Sequence, residues 1–205
     1  MYRNYLKPLF DFTGALFLLP IVLLVVLVFA PIIWLTDRGP VFYNAPRMGK
    51  DCRQFKMFKL RSMYVNAPDR RNPDGSTYNA DNDSRVTPIG CFLRKTSLDE
   101  VPQIINVLLG QMSFVGPRPT LVMSEWQFNL IEGDLRQRFS VRPGITGYAQ
   151  AYFRNSIPQE QKFHWDALYA NHQSLLLDMK IIYKTLLSVI ERKNINSATN
   201  SKQIK

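Results

Sequence analysis

Hydrophobic and polar positions divide this chain into three regimes. From Phe12 to Leu35 no charged residue occurs for 24 positions, about 36 Å of helix and enough to cross a bilayer. From there to Ile190, apolar patches alternate with charge, glycine and proline, as in a folded polar domain. From Arg192 to Lys205 the composition is polar and predicts a disordered tail. The chain therefore reads as a membrane segment over 1–36, one domain over 37–191 and a tail over 192–205.

Ahead of the apolar block, Tyr2 and Tyr5 with Arg3 and Lys7 have the composition of a segment lying at a membrane interface. Pro20 and Pro31 fall inside the block, and each removes one helical hydrogen bond. Between Asp37 and Arg61 there are seven Lys or Arg against two Asp, and the N-terminal flank is also basic, so both ends favour the cytoplasmic face. A helix that kinks and returns satisfies both flanks, with a single span as the alternative. The block is too long for a signal peptide and lacks an A-x-A cleavage site.

Beyond the block, Gly39-Pro40 predicts a turn. Phe55 to Met63 alternates apolar residues with Lys56, Lys59 and Arg61, the period of a half-buried strand in a β-hairpin. Residues 66–84 are rich in Asn, Asp, Pro and Gly and predict a loop, with Asp69, Asp81 and Asp83 as loop acids. Val101 to Leu109 predicts an apolar helix and Leu121 to Arg138 a mostly helical segment with a break at Gly133. Val141 to Gly147 predicts a tight loop whose glycines let backbone approach a ligand. Ile181 to Ile190 has helical spacing and suits either a core helix or an amphipathic helix resting on a membrane. The fold class is α+β and mainly helical, with a short β-hairpin.

Charge narrows the partners. A formal charge of +10 and a pI near 9.8 suit nucleic acid, an anionic membrane face or phosphate-bearing substrates. No helix-turn-helix, RNP or zinc pattern occurs, which argues against nucleic acid. Cys52 and Cys91 have no metal-like spacing to His164 or His172 and read as reduced thiols. The triplet Asn82-Asp83-Ser84 fits a glycosylation sequon that a cytosolic segment would not use.

The chemistry concentrates at Asp99 and Glu100, between arginines and an apolar helix. One reading is structural: Ser97-Leu98-Asp99-Glu100 is a capping box, S-x-x-E, ahead of the helix, although Pro102 leaves its first residue open. The other is that two carboxylates at a helix start reach one cation beside N–H groups that favour anions.

The neighbouring motifs favour the second reading. The strings R-x-x-S-L-D-E-x-P-Q at Arg94 to Gln103, N-V-L-x-G-x-M-S at Asn106 to Ser113 and V-G-P-R-P at Val115 to Pro119 resemble the bacterial sugar transferase family. These are the monotopic phosphoglycosyl transferases that prime glycan assembly on polyprenol phosphate. Further similarity lies in Lys59-Leu60-Arg61-Ser62-Met63, in R-P-G-I-T-G at Arg142 to Gly147, and in D-x-x-Y…S-L-x-L-D at Asp166 to Asp178. The chain departs from the family at Gln111, where an acid is usual, at Tyr148, where tryptophan is commoner, and at Pro20, one turn earlier than the usual kink proline.

The resemblance implies transfer of a phosphosugar from a UDP-sugar to polyprenol (undecaprenyl) phosphate, with release of UMP. It implies a re-entrant membrane helix kinked at Pro20, interfacial amphipathic helices and a catalytic domain on the cytoplasmic face of the bacterial inner membrane. Asp99 is implied as nucleophile through an aspartyl phosphosugar, with Mg²⁺ held by Asp99 and Glu100, and Glu100 in metal or acid-base support. A carboxylate attacking an anionic diphosphate needs that charge neutralised, which makes Arg94, Arg118, Arg154, Lys59, Arg61 and Arg142 the candidate phosphate contacts. Membrane lipids and downstream glycosyltransferases are the implied partners. A direct displacement with the carboxylates holding only metal, and a non-catalytic scaffold for glycan-assembly enzymes, are the alternatives.

Overall fold

In a computed structural model, residues 1–71, 78, 82–123, 126–154 and 156–190 are described. The predicted tail at 192–205 lies outside these residues, as does Asp81 of the loop.

Helix α1 runs unbroken from Lys7 to Asp37 through both Pro20 and Pro31, after a π-helical turn at Tyr2–Leu6. A single stripe of it is buried: Lys7, Asp11, Ala15, Val22, Val25 and Ile33, the repeat of one helix face. Ala15 and Val22 pack with Met57, Ile104, Val107 and Met112, and Val25 and Ile33 pack with Leu60 and Leu93. The apolar block thus supplies one wall of the domain core. Its other faces carry exposed Phe17, Leu23, Leu24, Leu27 and Leu35.

Each end of α1 is tied to the same domain. At its start, Lys7 Nζ lies 2.6 Å from Asp178 Oδ2, Tyr2 donates to the same carboxylate, and Asp11 Oδ1 accepts from Ser113 Oγ and the Phe114 N–H. At its end, Arg61 forks onto both oxygens of Asp37 and donates to the carbonyls of Pro40 and Ile33.

The predicted hairpin is present as β1 (Ala45–Met48) and β2 (Gln54–Met57), paired antiparallel, but the strand expected over Phe55 to Met63 stops at Met57, so Lys59 and Arg61 lie beyond it. A second pair, β3 (Ser113–Val115) and β4 (Gly144–Thr146), is parallel. This corrects the loop reading of R-P-G-I-T-G: its glycines admit another strand, not a ligand. A Cβ on Gly144 would overlap the backbone N of Gly116 and the carbonyl of Thr146, and one on Gly116 would overlap the Arg142 carbonyl. Neither neighbour is a side chain that can swing away. Gly144→Ala is therefore expected to cost about 4 kcal/mol or more, read as a loss or large drop of the cooperative unfolding transition in micelles.

Helix α2 (Pro88–Thr96) starts at Thr87, whose hydroxyl accepts from the Gly90 N–H, with Pro88 in the first turn. It ends at Ser97, which is left-handed at φ 58°. A 3₁₀ turn, Leu98–Glu100, follows, and α3 (Gln103–Leu108) begins after Pro102. The capping box is therefore not formed: Ser97 makes no side-chain cap bond and bends the chain between two helices. A working cap is worth about 1 kcal/mol. Ser97→Ala should instead leave the unfolding midpoint nearly unchanged, and Ser97→Gly should raise stability by up to about 1 kcal/mol by relieving the left-handed backbone.

Among the described residues, the helix predicted over Leu121 to Arg138 is confined to α4 (Gly133–Phe139), which begins rather than breaks at Gly133. Upstream of it the chain folds back, placing Trp126 and Ile131 against Met48 and Phe139. Three helices complete the domain: α5 (Tyr148–Tyr152), α6 (Gln159–Asn171) and α7 (Leu175–Ile190). The D-x-x-Y…L-D motif spans α6 and α7 and serves packing. Tyr169 donates to Asp178 and to the Val115 carbonyl, which fixes the carboxylate that holds Lys7.

Candidate active site

Asp99 and Glu100 sit at the elbow between α2 and α3, where the 3₁₀ turn aims both carboxylates at the chain leaving β2. The Leu60 N–H donates to the Asp99 carbonyl and anchors that chain across the elbow. Lys59 consequently reaches both acids, its Nζ 2.8 Å from Asp99 Oδ2 and 3.2 Å from Glu100 Oε1. Arg118, from the loop after β3, brings Nη2 within 3.3 Å of Glu100 Oε1. Asp99 is only 2% exposed.

Arg94 on α2 donates from Nε to Ser62 Oγ, and its charge acts on Asp99. The close approach of α2 to this segment depends on Gly90, where a side chain would overlap the Ser62 backbone. Lys59, Arg94 and Arg118 thus converge on the acidic pair from three parts of the chain.

Two carboxylates in one site are driven apart in acidity. Burial pushes the Asp99 carboxyl up, opposed by the Lys59 ammonium. Burial also raises Glu100, but Lys59 and Arg118 outweigh it and hold that acid down at about 2. Lys59 is destabilised as a cation by burial, yet the two carboxylates reverse this and raise its pKa. The cations at the elbow favour ionised Glu100, whereas burial and the neighbouring Glu100 work against the charge on Asp99.

Arg61 does not join the cluster as expected. Its guanidinium is buried on Asp37 and three backbone carbonyls at the end of α1. Arg142 lies beside Gly110 and lines a cleft with the start of α1, so it too points elsewhere. Arg154 occupies the turn after α5 in a left-handed conformation, φ 49°.

Two supports were not legible as such in the sequence. Arg138, read only as the end of a helical segment, is buried between Phe139 and Phe163 and bonded to Asp166 Oδ2. It also donates at 2.9 Å to the carbonyl of Arg118, fixing the loop that delivers the arginine. Burial pushes Asp166 up to about 6 despite this partner. Asn106 donates to the Lys56 carbonyl and accepts from the Phe58 N–H, which holds the chain leaving β2 that carries Lys59. Gln111 accepts from Asn106 at 2.7 Å, a task that either an amide or an acid oxygen performs.

The donor set at the elbow is two hard carboxylate oxygen groups, and among the described residues no third His, Cys, Asp or Glu joins them. Magnesium commonly binds through one or two carboxylates plus substrate phosphates and water. The pair fits an ion that arrives with a diphosphate better than a resident, fully caged one.

The bacterial sugar transferase family matches residues 2–192. The chain is 36% identical over 195 residues to an uncharacterized sugar transferase of Bacillus subtilis, covering 95% of this chain and 92% of that protein. It is 38% identical over 202 residues to a UDP-galactose-lipid carrier transferase of Erwinia amylovora, covering 92% of this chain and 41% of that one. A UDP-glucose:undecaprenyl-phosphate glucose-1-phosphate transferase of Klebsiella pneumoniae is 41% identical over 186 residues, covering 88% and 39%. The chain thus spans about two fifths of the latter two relatives and nearly all of the first.

Proposed function

Because this chain belongs to the bacterial sugar transferase family, we propose that it transfers a phosphosugar from a UDP-sugar to polyprenol phosphate at a membrane surface. The observation that carries the reading is the elbow itself, a buried carboxylate, Asp99, beside an ionised Glu100, with Lys59 and Arg118 bonded to the pair. Such a site suits two anionic phosphate substrates and a carboxylate nucleophile.

In this reading Asp99 attacks the phosphorus that bears the sugar. A carboxyl oxygen–phosphorus bond forms as the bond to UMP breaks, and UMP leaves as an anion without needing a proton. An oxygen of polyprenol phosphate then attacks the same phosphorus and expels the Asp99 carboxylate, giving polyprenyl diphosphosugar. Lys59, Arg94 and Arg118 neutralise the phosphate oxygens. Glu100, held ionised at about 2, is suited to holding cations in place and not to donating a proton. Asp99 and Glu100 are the residues that would hold Mg²⁺, which when bound supplies charge neutralisation to the diphosphate.

The membrane side of the proposal draws on α1 and α7. The reading that α1 enters and leaves the bilayer on the same face is supported by its two ends being bonded to one domain and by its stripe from Ala15 to Ile33 packing on that domain. The outward Phe17, Leu23, Leu24 and Leu27, together with Leu175, Leu176, Met179 and Tyr183 of α7, are then the lipid-facing surface. The catalytic domain would rest on the cytoplasmic leaflet, where UDP-sugars are available.

UMP release from a panel of UDP-sugars, with Mg²⁺ and with or without polyprenol phosphate, tests the reaction. Acceptor-dependent UMP release supports it, and polyprenol phosphate binding without turnover of any UDP-sugar would favour a scaffold.

A further inference from the structure

A cleft of about 180 Å³ opens between the first turns of α1, the β1–β2 turn and the segment entering β4. Arg3, Lys7, Lys50 and Arg142 all line it, against one lining carboxylate, Asp11. Asp11 already accepts from Ser113 and Phe114. Lys7 is bonded to Asp178, and Arg3 donates to the carbonyl and hydroxyl of Ser140. The side chains of Lys50 and Arg142 have no ion pair or hydrogen bond among the described residues, and Arg142 is half-buried. A guanidinium partly withdrawn from water without an anion is costly unless a ligand supplies one, and its fork matches phosphate oxygens.

We infer that this cleft is a second phosphate-binding site, occupied by the headgroup phosphate of an anionic membrane phospholipid. The position favours a lipid over a soluble ion. Arg3 and Lys7 sit where the apolar helix begins, beside exposed Leu9, Phe10 and Phe12, so with α1 in a bilayer the cleft opens at headgroup depth. The site differs from the elbow in all its cations. It rests on the membrane placement proposed above and not on the transfer chemistry.

The test is partition of the full chain into phosphatidylcholine vesicles with and without roughly a third phosphatidylglycerol. Native protein is compared with Lys50→Gln, with Lys50→Gln/Arg142→Gln, and with a control that loses two exposed charges outside the cleft and outside α7, Arg70→Gln/Lys95→Gln. The inference expects the cleft pair to lose about tenfold of the phosphatidylglycerol preference, Lys50→Gln alone to lose part of it, and the control to lose little. Equal losses in the cleft pair and the control would overturn it, since net charge would then account for the preference. Removal of the native preference by millimolar inorganic phosphate, but not by chloride at equal ionic strength, would overturn the lipid as occupant. Partition into neutral vesicles reports the membrane placement separately, because a chain that ignores phosphatidylcholine fails that reading first.

Discussion

Asp99→Asn should lower the rate of phosphosugar transfer by at least about a thousandfold, the scale on which loss of a covalent nucleophile is felt. The substitution is nearly isosteric and deletes a negative charge from a site that is 2% exposed, so the thermal midpoint should hold while turnover vanishes. Glu100→Gln is the informative companion. It removes the shared partner of Lys59 and Arg118, so it should weaken transfer by loosening those cations, with a smaller fall in rate and a rise in KM for the UDP-sugar. Incubation with UDP-sugar and no acceptor separates the roles further: native enzyme should release one UMP per site and retain the phosphosugar, and Asp99→Asn should do neither. A variant retaining activity within tenfold of native would remove Asp99 from the nucleophile role.

The second large effect is expected at Lys59. Its ammonium bridges the two acids at 2.8 and 3.2 Å, and it opposes the burial that raises Asp99. Lys59→Met keeps the apolar stem and removes the charge. Two neighbouring carboxylates then share a buried site with less compensation, and the Asp99 pKa moves up further. Attack needs ionised Asp99, so activity falls as pH drops through that value. The acid limb of the rate profile should therefore shift to higher pH in the variant. At neutral pH the rate should fall by about a hundredfold or more, as for loss of a preorganised charge at a reacting phosphate. A flat loss with an unmoved acid limb would instead make Lys59 a phosphate contact with no hold on Asp99.

The acids, the arginines and the apolar block were all legible in the sequence, because each is a local signal of composition or motif. The hairpin at β1 and β2 followed from alternation around Phe55, and the elbow's importance followed from carboxylates flanked by arginines. The geometry of that elbow did not follow: a capping box and a left-handed bend share the letters Ser-Leu-Asp-Glu, and only packing against the Leu60 segment selects the bend. Gly144 and Gly147 announced close approach, but not that the neighbour would be a parallel strand from about thirty residues away.

The sequence by itself determined the kinds of chemistry available: an acidic pair, basic partners for phosphate and a helix too apolar for water. Tertiary structure decided which cation meets which anion. Arg61 and Lys59 are two residues apart, yet one closes on Asp37 and the other on Asp99. An ion pair depends on position in space to within an ångström or so, whereas a motif fixes position only along the chain. The buried Arg138, the half-buried Arg142 and the split acidities of Asp99 and Glu100 all arise from that packing. They depend on what each group loses to burial and gains from neighbours distant in sequence.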